Sequence, residues 1–285
     1  MKKPSPAKVF TDDIEFDASQ FAQWFPHLAE SPFTLIRVAD EHAKSWASHL
    51  SMPIRRCYVT DRTVLERALQ TGASHADIIA ARLPNPGSTM AGDFGEILVY
   101  FYQAARAHPS ILIGPKKWRL KQDRTKPAPL SDVVQFFLPD WPLASENDEL
   151  ICSEVKTKST KGASSPITSA IEDCKKDRTS RLARTLMWLK DRALLEPLGD
   201  DVEMAHLDRF IHTTEYPIAN KKFRAVAVIC ASLAKDELIH APAFASESFD
   251  LIIITVPNLH GIYSTAFEAA MTSLPPAKAV PGKRK

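Results

Sequence analysis

The chain has 285 residues, of which 45% are hydrophobic and 25% charged, the composition of an ordinary globular protein. Lys and Arg number 36 and Asp and Glu 34, so any affinity for nucleic acid must come from local clusters of basic residues. The sequence has no apolar run of about 18 residues and no apolar stretch after its basic start, which predicts neither a membrane span nor a signal peptide.

Residues 1–90 are predicted to form a small α+β module of unknown function. Residues 1–30 carry prolines and scattered aromatics, and we interpret them either as an ordered arm or as a segment that docks on a partner. Apolar runs predict strands at 34–38 and 54–59. Helical periodicity predicts three helices, at 41–50, 61–69 and 75–83. Thr60 is a capping residue before the second, and Pro84-Asn85-Pro86-Gly87 ends the third.

Residues 91–274 are predicted to form the main domain, and residues 275–285, rich in Pro, Lys and Ala, a disordered tail. The predicted helices are 92–107, 166–195 and 261–274. The predicted strands are 111–121, where basic and apolar residues alternate, 131–138, 150–156, 223–231 and 249–256. This order predicts an α/β fold with a mixed central sheet flanked by helices. The GxGxxG, GxxxxGK[ST] and HExxH motifs are absent, so the Rossmann, P-loop and zincin functions lack their signatures.

One strand of this domain carries two opposite charges. In Leu150-Ile151-Cys152-Ser153-Glu154-Val155-Lys156, alternation places Glu154 and Lys156 on the same face of the strand and Val155 on the other. A carboxylate and an ammonium at a buried strand are expensive to desolvate, and chains usually tolerate this where the charges perform chemistry. The pair predicts half of a phosphodiesterase site.

Two further acidic residues complete the candidate site. Glu96 lies near the start of the helix at 92–107, and Asp132 lies at the entry to the strand before Glu154. Asp132 and Glu154 could supply carboxylate oxygens to Mg²⁺ or Mn²⁺, the Val155 carbonyl a third oxygen, and Glu96 could hold a second ion or its water shell. Lys156 could orient the attacking water and offset charge on the phosphate.

Simpler explanations exist for each of these residues. An E-x-K triplet occurs often by chance, and Glu154 with Lys156 could be a surface ion pair. Glu96 could be a surface residue favoured by the helix dipole. The ordered set of all four residues favours the functional interpretation over these.

The same residues carry a resemblance to a known family. Asp132, followed after a strand and a loop by Glu154-Val155-Lys156, resembles the D…(D/E)XK motif of the PD-(D/E)XK nuclease superfamily, although Ser131, not proline, precedes the aspartate. The preceding helix glutamate and the αβββαβ order also resemble that core. More closely, Gly92-Asp93-Phe94-Gly95-Glu96 and the strands that follow are similar to the nuclease subunit of Hachiman-type antiphage systems, over roughly residues 90–260.

That resemblance implies a DNA nuclease that a partner helicase restrains and that is released when phage DNA processing disturbs the complex. Basic side chains are the candidates for gripping the DNA backbone: Lys117, Arg119, Lys121, Lys158, Arg178 and Arg181. Four scattered cysteines without a CxxC pair favour reduced thiols in the cytoplasm. Two alternatives stay open, a catalytically inactive nuclease fold that binds DNA or a protein as a scaffold, and a restriction endonuclease with its own target sequence.

Overall fold

The computed structural model describes residues 14–29, 31–195, 198 and 201–276. Its helices are α1 (Ala18–Ala22), α2 (Asp40–Tyr58), α3 (Asp61–Thr71), α4 (His75–Ala80), α5 (Ser88–Ala107), α6 (Pro166–Lys176), α7 (Leu182–Ala193), α8 (Met204–Ile211), α9 (Ala234–Glu237) and α10 (Leu259–Thr272). Its strands are β1 (His27–Ala29), β2 (Thr34–Arg37), β3 (Val133–Phe137), β4 (Glu149–Lys158), β5 (Asn220–Cys230) and β6 (Asp250–Val256).

The strands form one six-stranded sheet in the order β1-β2-β6-β5-β4-β3. β2, β6, β5 and β4 run parallel, whereas the two edge strands β1 and β3 are antiparallel to their neighbours. The apolar runs of β5 and β6 lie at the centre, where helices cover both faces, and residues 225–229 are fully buried. The predicted α/β fold with a mixed, helix-flanked sheet is therefore confirmed.

Helices pack on opposite faces of β4, and this positions the candidate site. α5 covers the face that carries Ser153, Val155 and Thr157, while α6 and α7 cover the face that carries Cys152, Glu154 and Lys156. Side chains alternate along a strand, so the two charged residues both point toward α6 and α7. The predicted shared face of Glu154 and Lys156 is confirmed.

Gly95 sets the distance between α5 and β4. A methyl group on its Cα would stand 1.9 Å from Thr157 Oγ1 and 3.3 Å from Thr157 Cβ, whereas a methyl group on Gly92, one turn earlier, would meet nothing within 4 Å. We expect Gly95→Ala to lower the free energy of unfolding by about 1–3 kcal/mol through overpacking. Gly92→Ala is the matched control and should be neutral or stabilising by up to about 1 kcal/mol, because alanine favours the helix.

Urea denaturation of both variants measures this difference. Removing the obstructing side chain in the double variant Gly95→Ala/Thr157→Ala should restore part of the lost stability. Equal stability of the two single variants would show that the helix is not held this close to the strand.

The N-terminal segment is part of the same sheet and core. β2 pairs with β6 in parallel, as expected for the predicted strand at 34–38, and α2 packs against α10. The aromatic residues Phe21, Trp24 and Phe25 are buried in the main hydrophobic cluster. Residues on both sides of position 90 thus share one sheet, and a separate folding unit at residues 1–90 stays a prediction.

The strand predicted at 54–59 is wrong. These residues continue α2, which runs through Pro53 to Tyr58, well beyond the predicted end at residue 50. Leu50, Ile54 and Cys57 are buried along one side of this helix, a spacing that a helix also accommodates. The helices predicted at 61–69 and 75–83 are confirmed as α3 and α4, with Thr60 capping α3, although α4 ends at Ala80.

The basic strand predicted at 111–121 is also wrong. Only Ile113 makes a bridge, to Phe136 of β3, and residues 117–120 form a 3₁₀ turn. Gly114 lies so close to β3 that a Cβ would stand 2.5 Å from the Val134 carbonyl oxygen. The chain therefore turns away from the sheet edge, and the expected αβββαβ order lacks its first full strand.

The helix predicted at 166–195 is confirmed, with one interruption. Residues Asp177–Arg181 form a π-helical turn between α6 and α7. The strands predicted at 223–231 and 249–256 and the helix at 261–274 are confirmed as β5, β6 and α10. All but the first two residues of the predicted tail at 275–285 lie outside the described residues.

None of the helices within the described part of the chain combines the length and the apolarity that a bilayer crossing requires.

Candidate active site

The sheet edge formed by β3 and β4 brings Asp132 and Glu154 together. Asp132 immediately precedes β3, and the antiparallel register sets Val133 opposite Ser153. The Val155 N–H donates to Asp132 Oδ2 at 2.8 Å, which fixes this carboxylate beside Glu154. Lys156 Nζ donates to Glu154 Oε1 at 2.6 Å. The predicted proximity of Asp132, Glu154 and Lys156 is therefore found in the structure.

Glu96 reaches the site from the other side, and the expectation of a surface residue in the first turn is wrong. α5 begins at Ser88, so Glu96 lies in its third turn, and its side chain is buried. Trp118 Nε1 donates to Glu96 Oε2 at 3.0 Å. Lys117 Nζ lies 3.6 Å from Glu96 Oε2 and 3.7 Å from Asp132 Oδ1. Lys117 thus connects the two carboxylates.

Arg181 is the second cation on Glu154. Its Nη1 donates to Glu154 Oε2 at 3.0 Å, so both oxygens of Glu154 accept from cations. Arg181 ends the π-helical turn, a local distortion of the kind that often occurs at functional sites. Its Nε also pairs with Asp177 Oδ1 at 3.2 Å.

Two aspartates on the helical side were not anticipated from the sequence. Asp173 Oδ2 pairs with Lys156 Nζ at 2.7 Å. Asp177 Oδ1 accepts from Ser131 Oγ at 2.8 Å, while its Oδ2 is buried without a hydrogen-bond partner among the described residues. The spacing of Asp173, Asp177 and Arg181, four residues apart each time, places them along one helical face and is the signal that could have found them.

The carboxylates of the site have displaced pKa values. Burial, with a further contribution from the charge of Asp132, raises the pKa of Glu96 to about 8 and that of Glu154 to about 9. Burial acts against the charge of Lys156, but Glu154 and Asp173 raise the pKa of Lys156 above its ordinary value. Hydrogen bonds from Lys156 and Lys176 lower the pKa of Asp173 to about 2 despite its partial burial. Buried carboxyl groups that are costly to ionise are therefore concentrated around Asp132.

The carboxylates of the site suit a hard divalent cation chemically, but basic side chains of the protein already contact them. Carboxylate oxygens are the ligands that Mg²⁺ prefers, and a cation would relieve the repulsion that Asp132 exerts on Glu96 and Glu154. Within residues 14–29, 31–195, 198 and 201–276, however, no group of three or more His, Cys, Asp or Glu side chains could hold a metal ion. Lys156 and Arg181 already donate to the two oxygens of Glu154. Lys117 Nζ already lies between the carboxylates of Glu96 and Asp132.

The basic residues predicted to contact DNA mostly have partners inside the protein. Lys117 lies in the site itself, and the prediction that it belongs to a strand is wrong. Lys121 Nζ pairs with Asp93 at 2.7 Å and Lys158 Nζ with Glu237 at 2.6 Å. Arg119 donates to the Arg56 carbonyl at 2.9 Å through Nε. Of these six residues Arg178 is exposed, and DNA contact by any of them stays a prediction.

The sequence matches a family model, described as HamA, over residues 16–270. The match covers α1 to most of α10 and includes every candidate site residue. The chain belongs to the HamA family. No curated protein matches the sequence.

Membership in the HamA family makes the chain a component of Hachiman-type antiphage defence, as the resemblance implied. The wider PD-(D/E)XK assignment, the nuclease activity and the helicase partner stay predictions.

Proposed function

We propose that this HamA protein is a DNA nuclease that depends on Mg²⁺ or Mn²⁺ and acts as the effector of its defence system together with a helicase partner. The observation that carries the proposal is the convergence of Asp132, Glu154 and Lys156 at one sheet edge, with Glu96 brought to Asp132 by Lys117. Structural ion pairs seldom concentrate buried carboxylates in this way, because each adds repulsion that folding must offset.

The residues divide into distinct roles in this proposal. Asp132, Glu154 and the Val155 carbonyl would hold the metal ion, with Glu96 binding a second ion or its water shell. A bound divalent cation supplies Lewis acidity and charge neutralisation at the phosphate. Lys156, on the same face as Glu154, would orient the attacking water and offset charge on the phosphate, since its raised pKa keeps it an ammonium. Asp173, paired with Lys156 at 2.7 Å, would position the ammonium.

Lys156 and Arg181 compete with a metal ion for Glu154 in the arrangement described. Metal binding requires at least one of them to leave a carboxylate oxygen, so the chain by itself is expected to bind metal weakly. Displacement of α6 and the π-helical turn would withdraw Asp173 and Arg181 together, since the two lie on the same helical segment. A partner that restrains or releases this segment would control the activity.

Cleavage of supercoiled plasmid tests the proposal. The purified chain, alone and with its co-purifying partner, is compared in Mg²⁺ and in EDTA, and wild type is compared with Glu154→Ala. Metal-dependent nicking that disappears in the variant supports the nuclease and its site. Nicking by a folded Glu154→Ala protein at the wild-type rate contradicts the site.

The second candidate function is a scaffold that binds DNA without cutting it. It is favoured because Lys156 and Arg181 already contact both oxygens of Glu154. It predicts DNA retention without cutting under every metal and partner condition. A DNA titration run in parallel with the plasmid assay therefore separates it from a nuclease in its restrained state, which should cut once the partner complex is activated.

Arg181→Ala tests the competition directly. Removing this cation should lower the Mg²⁺ concentration for half-maximal cleavage roughly fivefold, equivalent to about 1 kcal/mol at a partly buried ion pair. Arg184→Ala removes an exposed charge three residues away and should leave the metal titration unchanged. A lower maximal rate with an unchanged metal requirement would instead assign Arg181 to the phosphate.

A further inference from the structure

A second polar site lies at the other end of α5, away from the candidate active site. A cavity of about 310 Å³ opens between the last two turns of α5 and the first residues of β4 and β5. Gln103, which lines it, is seven residues beyond Glu96 on the same helix, roughly 10 Å along the axis. The cavity faces the side of β4 that carries Ser153, opposite to Glu154.

Two buried hydrogen-bond donors at this cavity have no acceptor. Gln103 is 1% exposed, and its Oε1 accepts from Arg224 Nη1 at 2.6 Å and from Ser153 Oγ at 3.2 Å. Those two bonds fix the amide orientation, so Gln103 Nε2 is the free donor, and it has no hydrogen-bond partner among the described residues. Arg224 Nε is likewise without one, its paired carboxylate oxygen on Asp250 standing 3.8 Å away. Buried donors left in this state are destabilising unless a ligand or water accepts from them.

The cavity also has a positive rim. Arg106 lies at its mouth, and Arg224 lies deeper, where burial lowers the pKa of its guanidinium and Arg106 adds to that effect. The lining holds one carboxylate, Glu149, which pairs with Lys222 at 2.7 Å. An anion in the cavity would therefore meet two guanidinium groups and an amide donor, with the carboxylate of the lining paired to Lys222, and with Asp250 largely exposed outside it.

We propose that this cavity binds a phosphomonoester whose body is flat and apolar, such as a nucleoside 5′-monophosphate. Gln103, Arg106, Ser110 and Arg224 all line the cavity and carry hydrogen-bond donors, and a phosphate monoester offers three strong acceptor oxygens where a carboxylate offers two. Arginine suits such an oxyanion because its planar fork donates two parallel hydrogen bonds.

The apolar part of the lining supports a ligand with a ring. Leu112, Phe137 and Ile151 also line the cavity, and the Phe137 side chain is only half-buried. A nucleobase can stack on an aromatic ring of this kind. The volume is at the small end of the range for ligand pockets, which suits one nucleotide. The ligand is either a free mononucleotide or the 5′-phosphorylated end of a DNA strand.

Calorimetric titration of the full chain with dAMP, in phosphate-free buffer containing EDTA, tests this site independently of any nuclease activity. dAMP should bind saturably, and deoxyadenosine, which lacks the phosphate, at least about tenfold more weakly, as expected on losing charge-assisted hydrogen bonds. Arg106→Gln should weaken dAMP binding roughly fivefold, because it removes a charge-assisted hydrogen bond at a partly exposed position. Arg67→Gln removes an exposed arginine from α3 and is the matched control.

Gln103→Met removes the buried amide while keeping its approximate volume, and circular dichroism establishes whether this variant folds. Competition with a 5′-phosphorylated oligonucleotide and its 5′-hydroxyl form assigns the source: displacement by the first alone points to a DNA end, and displacement by neither to a free nucleotide. The proposal is overturned if millimolar dAMP gives no saturable binding, or if Arg106→Gln binds it as wild type does.

Discussion

Lys156→Ala is expected to lower the rate of metal-dependent DNA cleavage at least about 100-fold, the usual effect of removing a positioned group that stabilises charge in the transition state. The ammonium lies between Glu154 and Asp173, at 2.6 Å and 2.7 Å, closer to both carboxylates than Arg181, which lies 3.0 Å and 3.7 Å from them. Stability should change by no more than about 1 kcal/mol, since the side chain is 31% exposed and Arg181 still neutralises Glu154.

The matched control is Lys44→Ala. Lys44 pairs with Asp40 on the surface of α2 and is 71% exposed, so its removal takes away one positive charge far from the candidate site. Plasmid cleavage with Mg²⁺ should be unaffected by it, and urea denaturation of both variants checks that each is folded. A folded Lys156→Ala protein that cuts at the control's rate would place the water-activating group elsewhere.

The local part of the site was accessible from the sequence, because strand geometry determines it. Glu154 and Lys156 had to share a face once β4 was recognised as a strand. Asp132 had to lie near them once its own strand was assigned as the neighbour. Both inferences use only the two-residue period and the antiparallel pairing of consecutive strands.

The helical residues that contact Glu154 could not be predicted from the sequence in the same way. Arg181 lies 27 residues beyond Glu154, and its contact depends on how α6, the π-helical turn and α7 cross β4. The sequence predicts DNA contact for the basic residues of this helix. The i, i+4 spacing of Asp173, Asp177 and Arg181 was visible, but a spacing alone does not show which residue of another element it meets.

Lys117 shows a second limit, which concerns burial. Alternating basic and apolar residues at 117–121 fit a strand with a solvated face, yet Lys117 is 5% exposed and Trp118 is 2% exposed. Lysine can be buried where carboxylates compensate its charge, and here Glu96 and Asp132 do so. A pattern of residue types shows which side chains are polar, but not whether a buried carboxylate is available to pair with a lysine. The sequence therefore predicts Lys117 outside the candidate site, although it lies inside.

Asp148→Ala is expected to lower the free energy of unfolding by about 3–5 kcal/mol, because it leaves a buried charge without its partner. Arg209 of α8 and Asp148, just before β4, are both almost fully buried, and Arg209 Nε donates to Asp148 Oδ2 at 2.6 Å. The Asp148 carbonyl also accepts from Asn220 N at 2.9 Å, where β5 begins. The pair thus joins α8 to the start of the strand that carries Glu154.

Urea denaturation measures the loss, and Arg62→Ala is the control from an exposed ion pair. Arg62 and Glu66 are 76% and 44% exposed on α3, so breaking their contact should change stability by no more than about 0.5 kcal/mol. The double variant Asp148→Leu/Arg209→Met should recover most of the stability, since it buries no charge, and the methionine can pack where the guanidinium now lies 5.6 Å from the Phe210 ring. If the double variant were no more stable than Asp148→Ala alone, the loss would come from packing around Asp148 and not from an unpaired arginine.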